Sequence, residues 1–258
     1  MSPKCPITIP GTQGDPGMAD RRIGLIGDVH AEDRRLGTTI NFLMRKGVDS
    51  ILCTGDIVDG TGDPESCIRM LDDNNIHVVK GNHDRWCLEG KARHIPNAHL
   101  RSDLACSSLE YLAGLPKQVT INTVAGPLLL CHGIGSNDLR KVWPGTERMP
   151  IERSQELDTI IATNKHRFVI NGHMHFKTII HFATLKLINA GTITGNRWPG
   201  FTLIDFDART IDTYRFQDEL ICHGKSTSME DEPEHLFIDT QDFAGNWEPQ
   251  LLFHMPRD

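Results

Sequence analysis

Five short groups of polar residues, spaced between residues 28 and 175, carry side chains that can bind metal ions. Carboxylate oxygens and imidazole nitrogens suit manganese, iron or zinc, and an asparagine can add its carbonyl oxygen. Two such cations about 3.5–4 Å apart can clamp a phosphoryl group and activate water for in-line attack. The groups are Asp28-Val29-His30, Gly55-Asp56, Gly81-Asn82-His83-Asp84, Cys131-His132-Gly133 and Gly172-His173-Met174-His175.

Each group follows an apolar run of the kind that forms a buried strand. The first three runs, at residues 23–28, 50–56 and 76–84, alternate with amphipathic stretches, which predicts a β-α-β-α-β unit with parallel strands. Because the carboxyl ends of parallel strands meet at one edge of a sheet, groups remote in sequence would meet in space. The glycines beside the groups would let the backbone turn sharply and approach a ligand closely.

Two helices are predicted between these strands. The first ends near Gly47, a plausible C-terminal cap, and the second begins at Asp63-Pro64, which suit the N-cap and the first turn. Their inward faces are expected to carry Leu36, Ile40, Leu43 and Met44 in the first helix and Cys67, Ile68 and Leu71 in the second.

After about residue 100 the pattern changes to a short helix, a hairpin, a further helix and a run of strands. The strands between about residues 186 and 216 are typical of a second, mostly antiparallel sheet. The prediction is an α/β fold, a four-layer α-β-β-α sandwich of two mixed sheets with helices outside. The predicted divisions are a flexible leader at 1–20, the main domain at 21–216 and an acidic C-terminal extension at 217–258 with a short strand near 236–239.

Taken one at a time, the polar groups have simpler explanations. An Asp-x-His sequence is common by chance, and Asp56 followed by Asp59 could be turn chemistry. His132 could be a core histidine, Asn82 could cap a helix, and residues 172–175 could form a surface turn. Five such groups at five strand ends are hard to explain without a shared purpose, so we favour a metal site.

Composition argues against several classes of protein. The formal net charge is −7 with no evident basic cluster, so strong nucleic-acid binding is not expected. No apolar run approaches roughly 18 residues, which argues against a membrane span. The first 20 residues lack the apolar core of a signal peptide, so the cytoplasm is the expected location. Seven scattered cysteines without a CxxC pair argue against a disulfide framework or a thiolate zinc site.

The five groups resemble the signature of the calcineurin-like metallophosphoesterase superfamily. Its pattern is DxH, then GD, then GNHD or GNHE, then a lone His, then GHxH, and all five blocks occur here in that order. The resemblance implies two divalent transition metal ions, for which Mn, Fe, Zn and Ni are candidates and Mn is favoured. It also implies hydrolysis of phosphate esters by a hydroxide that bridges the two metals.

The resemblance further implies a role for each matching position. One metal would be held by Asp28, His30 and His175, and the other by Asn82, His132 and His173, with Asp56 bridging them. His83 would not bind metal but would donate a proton to the phosphoryl oxygens or the leaving group. Asp84 would orient the other ring nitrogen of His83. Arg85 could contact a substrate phosphate, although an exposed, solvated arginine is the simpler expectation.

One branch of the superfamily fits less well. Serine/threonine protein phosphatases carry GDxVDRG and GNHE, whereas here Gly60 stands in place of the arginine and Asp84 in place of the glutamate. The stretch from Gly55 into the second helix looks more similar to the small bacterial phosphodiesterases of the YfcE-like group. The expected substrate is therefore a small phosphodiester such as a cyclic nucleotide.

Two alternatives to a phosphodiesterase remain open. Within the enzyme class, the protein could be a protein phosphatase or a general phosphomonoesterase. The other alternative is a non-catalytic scaffold of the same fold, as in a retromer subunit. Loss of the histidine in the third block would mark such a scaffold, and this chain keeps His83.

Overall fold

The computed structural model describes residues 19–230 and 236–252. Two β-sheets face each other and helices pack on the outer side of each sheet, so the predicted four-layer α/β arrangement is confirmed. The helices are α1 (Asp33–Arg45), α2 (Pro64–Asp73), α3 (Asn82–Glu89), α4 (Cys106–Gly114) and α5 (Gln155–Thr163). In the described ranges, no helix is both long and apolar enough to cross a membrane.

The strands are numbered in chain order. They are β1 (Arg22–Ile26), β2 (Ser50–Cys53), β3 (His77–Val78), β4 (Gln118–Thr123), β5 (Gly126–Cys131), β6 (Phe168–Asn171), β7 (Lys177–Phe182), β8 (Lys186–Ala190), β9 (Gly200–Asp205), β10 (Thr210–Gln217), β11 (Leu220–Ser228), β12 (Leu236–Phe237) and β13 (Gln250–Leu251).

The first sheet has the strand order β11-β10-β9-β1-β2-β3 within the described residues. Strands β1, β2 and β3 are parallel, as the β-α-β-α-β prediction requires, and Ile26 lies opposite Cys53. Strand β9 runs antiparallel to β1, with Leu25 opposite Thr202. The assignment of β9 and β10 to the second sheet was wrong, because their hydrogen bonds extend the first sheet beyond β1.

The second sheet has the order β12-β7-β8-β6-β5-β4 in the part of the chain that the structure describes, and β13 also pairs with β7. Strands β5, β6 and β8 are parallel, whereas β4 is antiparallel to β5 and β7 is antiparallel to β8. Strand β12 runs parallel to β7. The predicted hairpin is β4–β5. As in the first sheet, the carboxyl ends of the central parallel strands share one edge, where the polar groups follow.

The cores of the sandwich follow from the alternation of side chains along the strands. In β1, Ile23 and Leu25 point between the sheets, whereas Ile26 points toward the helices α1, α2 and α4. On the outer side of the second sheet, Leu157 of α5 packs against Leu129 and other strand residues.

The helix starts follow the expected chemistry. The Asp63 side chain accepts a hydrogen bond from the Glu65 N–H, and Pro64 occupies the first turn of α2. The inward face predicted for α1 is correct for Leu36, Ile40 and Leu43. It is wrong for Met44, which is 50% exposed because α1 turns that position away from the sheet.

The third apolar run forms less strand than expected. Strand β3 covers only His77–Val78, and Asn82 already begins α3 rather than a loop. The Asp84 carboxylate accepts the Gly81 N–H and so satisfies a backbone donor that the helix start leaves unpaired. The third polar group therefore lies on the first turn of a helix, which fixes the direction of its side chains.

The segment after residue 217 contributes strands to both sheets. Strand β11 pairs with β10, and β12 and β13 both pair with β7. Phe243, Trp247 and Leu252 are buried against the domain, which confirms the expectation that apolar residues of this segment pack on their own domain. Phe253, Cys5 and almost all of the predicted leader lie outside the described residues.

Adjacent residues on α1 provide a test of the core. We expect Leu43→Ala to lower the free energy of unfolding by about 2–5 kcal/mol, because it leaves a cavity in a packed core. Met44→Ala should change it by less than about 0.5 kcal/mol, since this side chain faces solvent. Urea denaturation followed by circular dichroism measures both values. Equal losses for the two variants would contradict the assigned inward face.

Candidate metal centre

All five polar groups meet at the edge where both sheets end. They follow β1, β2, β5 and β6, and the third group lies on the first turn of α3. Every side chain predicted to bind a metal lies at this edge. Most belong to three compact groups of ligand atoms, and the others contact members of these groups directly. The compact groups are Asp28 with His30 and His175, His30 with Asp56 and His83, and Asp28 with Asp56 and His132.

Asp28 links the two sheets. Its carboxylate is fully buried, and it accepts hydrogen bonds from the Thr54 hydroxyl at 2.9 Å and from the His173 N–H at 2.9 Å. The Nε2 atom of His175 lies 3.1 Å from Asp28 Oδ2. Burial by itself raises the pKa of Asp28, but His132 and His175 outweigh it and lower the pKa below its ordinary value. The group is therefore an ionised carboxylate.

Asp56 occupies the centre of the cluster. One carboxylate oxygen accepts the His83 N–H at 2.8 Å, and the other lies 3.3 Å from His132 Nε2. The Nε2 atom of His30 is 3.9 Å from the same oxygen. Although burial opposes ionisation, the charge of His132 and its hydrogen bond, with His30 and His83, hold the pKa of Asp56 far below its usual range. Asp56 therefore presents a full negative charge to the surrounding imidazoles.

The His132 ring shows that this site fits a cation. Its Nδ1 donates to the Thr54 carbonyl at 2.7 Å, so its Nε2 carries the lone pair when the ring is neutral. This Nε2 faces two further acceptors, Asn82 Oδ1 at 3.0 Å and Asp56 Oδ2 at 3.3 Å. Three acceptors pointing at one another need a positive charge between them. A divalent metal supplies it, and carbonyl, carboxylate and imidazole are suitable ligands.

In the absence of a metal, a proton takes that place. Burial lowers the pKa of His132, but the carboxylates of Asp56 and Asp28 outweigh burial and raise the pKa to about 10. His173 behaves differently, although its ring centroid is only 5.4 Å from that of His132. Burial and the nearby His132 lower the pKa of His173 to about 4, so this ring is neutral and available as a ligand.

A second set of ligand atoms surrounds the other side of Asp28. The Nδ1 of His30 donates to the Asp59 carbonyl at 3.0 Å, which directs its Nε2 into the site. This nitrogen lies 3.3 Å from Nε2 of His175. Two imidazole nitrogens and a carboxylate oxygen converge here, and this arrangement again suits a transition metal.

The partner predicted for His83 was wrong. Its Nδ1 lies 2.8 Å from the Oδ2 atom of Asp59, not from Asp84. Asp84 instead accepts the N–H groups of Gly81, Ile57 and Val58, at 2.9, 2.8 and 3.3 Å. Residues adjacent on a helix do not face each other, so Asp84 points away from His83 toward the backbone after β2.

Asp59 is thus a site residue, for which the sequence offered only turn chemistry as an explanation. Its burial alone would raise its pKa, but hydrogen bonds from His83 and Arg93 lower that pKa to about 2. For His83, burial lowers the pKa, and the hydrogen bond to Asp59 and the charge of Asp56 raise it above its ordinary value. The sequence feature that could have identified Asp59 is the GDxVD pattern, in which Asp59 follows Asp56 by three residues.

Arg85 is held in an ion pair, with its side chain 25% exposed. Its Nε and Nη2 donate to both carboxylate oxygens of Asp138, at 2.6 and 3.0 Å. The pair connects α3 to the loop that follows His132. The geometry therefore gives no support to Arg85 as a phosphate ligand and assigns it to the attachment of this loop.

Two glycines allow the clusters to come this close. A Cβ on Gly81 would overlap Oδ1 of Asp56, and one on Gly172 would overlap Oδ1 of Asp28. The sharp turns themselves are made mostly by the site residues. His30, Asp56, His173 and His175 have φ values of 47°, 48°, 63° and 57°. The predicted role of the glycines in close approach is confirmed, and Gly55, with a φ of 90°, also turns the chain as predicted, although most of the turns are made by the ligands.

Replacement of the central carboxylate tests the metal centre. We expect Asp56→Asn to lose most of its bound metal, because the amide removes the charge that several imidazoles surround. Metal content after dialysis against Mn²⁺ can be measured by mass spectrometry of the protein. Asp207→Asn, which changes an exposed carboxylate that pairs with Arg21, should retain the wild-type content. Equal content in both variants would contradict the central position of Asp56.

The sequence matches known proteins. Over 122 residues it is 34% identical to an uncharacterized protein of Methanocaldococcus jannaschii, and the match covers 45% of this chain and 50% of that protein. The chain thus spans about half the length of this relative. Residues 21–177, more than half of the chain, match the model of the calcineurin-like phosphoesterase family.

Solved structures share the fold. A metallophosphoesterase from Sphaerobacter thermophilus is 23% identical with a TM-score of 0.53, over 76% of this chain and 88% of that one. YfcE, a phosphoesterase from E. coli, is 14% identical with a TM-score of 0.50, over 81% of this chain and 100% of that one. With the match of residues 21–177 and the shared fold, the chain belongs to the calcineurin-like phosphoesterase family.

Proposed function

We propose that this protein is a metal-dependent phosphodiesterase with two divalent cations, of which Mn²⁺ is favoured. The observation that carries the proposal is the convergence of acceptors on Asp28 and Asp56. The Nε2 atoms of His132 and His175 lie 3.3 and 3.1 Å from these two buried carboxylates, and Asn82 Oδ1 lies 3.0 Å from His132 Nε2. Such a set is satisfied by cations and is costly without them.

Asp56 lies between two sets of proposed ligands. Asp28, His30 and His175 would hold one cation, and Asn82, His132 and His173 the other, with Asp56 shared. When bound, the cations would supply Lewis acidity and an activated water. The hydrogen bonds of His30 and His132 to backbone carbonyls fix the ring orientation and the tautomer that such binding requires.

His83 is the proposed proton donor to the leaving group. Its ring lies beside the cluster, 4.8 Å from the His30 ring between centroids, and it is partly accessible to solvent. Asp59 binds its Nδ1 and raises the pKa of the ring, which favours the protonated form that a general acid needs. Asp59 thereby takes the role that was predicted for Asp84.

A small diester that carries an aromatic base, such as a cyclic nucleotide, is the proposed substrate class. The half-buried Trp86 ring lies 4.9 Å from the His83 ring, which is where a leaving group would meet the proton donor. An aromatic face can stack on a base. Trp143, in the loop that follows β5, is instead buried and packs against Trp247 and Phe176.

Protein-phosphatase activity is disfavoured by the backbone at Gly60. A Cβ at this position would overlap the carbonyl oxygen of His30. No arginine can therefore replace Gly60 without displacing the loop that carries a proposed metal ligand. A general phosphomonoesterase remains the second candidate, because the same cluster would bind either kind of ester.

Substrate preference can be tested with chromogenic esters. We expect metal-stripped protein to be inactive and added Mn²⁺ to restore hydrolysis, with bis-p-nitrophenyl phosphate preferred over p-nitrophenyl phosphate. Asp56→Asn serves as the control for contaminating activity. Preference for the monoester would move the assignment to a phosphatase. No turnover of either ester with Mn²⁺, Fe²⁺, Zn²⁺ or Ni²⁺ would favour a non-catalytic scaffold.

The role of His83 makes a separate prediction. His83→Ala should reduce kcat about 10²–10⁴-fold for esters with poor leaving groups, the usual scale for lost acid catalysis. Asp59→Asn should reduce it about 10–100-fold, because the ring stays but loses its orienting partner. Metal content should remain near the wild-type value in both.

Asp84→Asn provides the contrast. It should chiefly lower the free energy of unfolding, by about 1–3 kcal/mol, because three backbone N–H groups lose a charged acceptor. Loss of metal in His83→Ala would show that this ring is a ligand instead of an acid.

A further inference from the structure

Arg93 is an almost buried cation that has no role in the proposed function. It lies in the segment between α3 and α4, and its side chain is only 12% exposed. Its Nη1 donates to Asp59 Oδ1 at 2.7 Å and its Nη2 to Asp59 Oδ2 at 2.9 Å. The guanidinium also donates to the carbonyls of His99 at 2.6 Å and Lys91 at 2.6 Å. Four hydrogen bonds thus fix this side chain in one orientation.

The bidentate contact removes the rotational freedom of the Asp59 carboxylate. Besides Arg93, Oδ1 accepts the His99 N–H at 2.9 Å, whereas Oδ2 faces His83 Nδ1 at 2.8 Å. A carboxylate held by one histidine alone could rotate about its terminal bond. Paired with the planar fork of an arginine, it has one favoured plane.

The backbone of Asp59 is held as well. Its N–H donates to His99 Nδ1 at 3.0 Å, and its carbonyl accepts from His30 Nδ1 at 3.0 Å. The residue has φ of 67°, which an aspartate adopts at some cost in free energy. One residue therefore sets the orientation of both the proposed acid, His83, and a proposed metal ligand, His30.

We propose that Arg93 is a positioning residue, which holds the Asp59 carboxylate in the plane that presents His83 to the leaving group. The inference rests on the proposed function of His83 as proton donor. It also connects the segment carrying Arg93 and His99 to the reaction, because movement of that segment would move the Asp59 carboxylate. An arginine that only anchored the loop would act through the carbonyls of Lys91 and His99, and not through Asp59.

Arg101 is a matched control on the same segment. Its Nη1 donates to the Leu88 carbonyl at 2.7 Å, so it anchors the chain to α3 without contacting Asp59. Arg93→Ala should lower kcat for poor leaving groups about 10–100-fold, with KM and metal content close to those of the wild type. Arg93→Lys should recover part of the loss, and so should guanidinium ion added to Arg93→Ala below denaturing concentrations. Arg101→Ala should leave kcat nearly unchanged.

The second readout does not depend on turnover. In the full-length protein loaded with Zn²⁺, which is diamagnetic, the ring N–H of His83 can be followed by ¹H–¹⁵N correlation and assigned by its loss in His83→Ala. Arg93→Ala should shift or broaden this resonance, as should Asp59→Asn, whereas Arg101→Ala should leave it in place.

The outcomes separate the two proposals. If Arg93→Ala and Arg101→Ala have equal effects on kcat, and the His83 resonance is unmoved, Arg93 is a loop anchor and the inference is wrong. If the wild-type protein hydrolyses no phosphate ester with any metal, the proposed function fails. In that case the His83 resonance alone decides whether Arg93 positions the ring through Asp59.

Discussion

Two ionised carboxylates, those of Asp28 and Asp56, lie buried where the two sheets end, and the surrounding structure offsets their charge. An uncompensated buried carboxylate costs several kcal/mol, so each must be surrounded by donors or cations. Asp28 accepts from Thr54 after β2 and from the backbone of His173 after β6. Asp56 accepts from the backbone of His83 on α3. The carboxylates therefore connect strands of both sheets and a helix, and the site is also a structural junction.

This junction imposes a cost on the backbone. The residues His30, Asp56, His173 and His175 have left-handed conformations, which cost L-residues of this size about 1–2 kcal/mol each. Residues at such φ values persist only where surrounding contacts fix them, and they concentrate at functional sites. Here the contacts are hydrogen bonds that these residues donate to carbonyls and carboxylates, so the same bonds that orient the ligands also hold the strained turns.

The sequence predicted which residues meet, because the ends of parallel strands share an edge and polar groups followed these ends. It also predicted the layers and the helix start at Asp63, which depend on periodicity and local capping. It did not predict the direction in which the side chains of the site point. Asp84 is next to His83 in sequence, whereas Asp59 contacts it in space. Only the start of α3 at Asn82 shows that Asp84 faces the backbone. The sheet membership of β9 and β10 depends on long-range pairing, which local pattern does not encode.

The distribution of charge explains how an acidic protein could attract a phosphate ester. Asp59 is paired with the Arg93 guanidinium, and three backbone N–H groups offset Asp84. The carboxylates of Asp28 and Asp56 are therefore the negative charges that face the proposed cations. If the proposed function holds, two divalent cations exceed this charge of two by about two units, which would invert the local potential of a chain with a net charge of −7. The buried Arg93 contributes to this balance, because without it the Asp59 carboxylate would add a third negative charge beside the substrate position. The fixed arginine thus serves orientation and charge together, and a neutral side chain at residue 93 could supply neither.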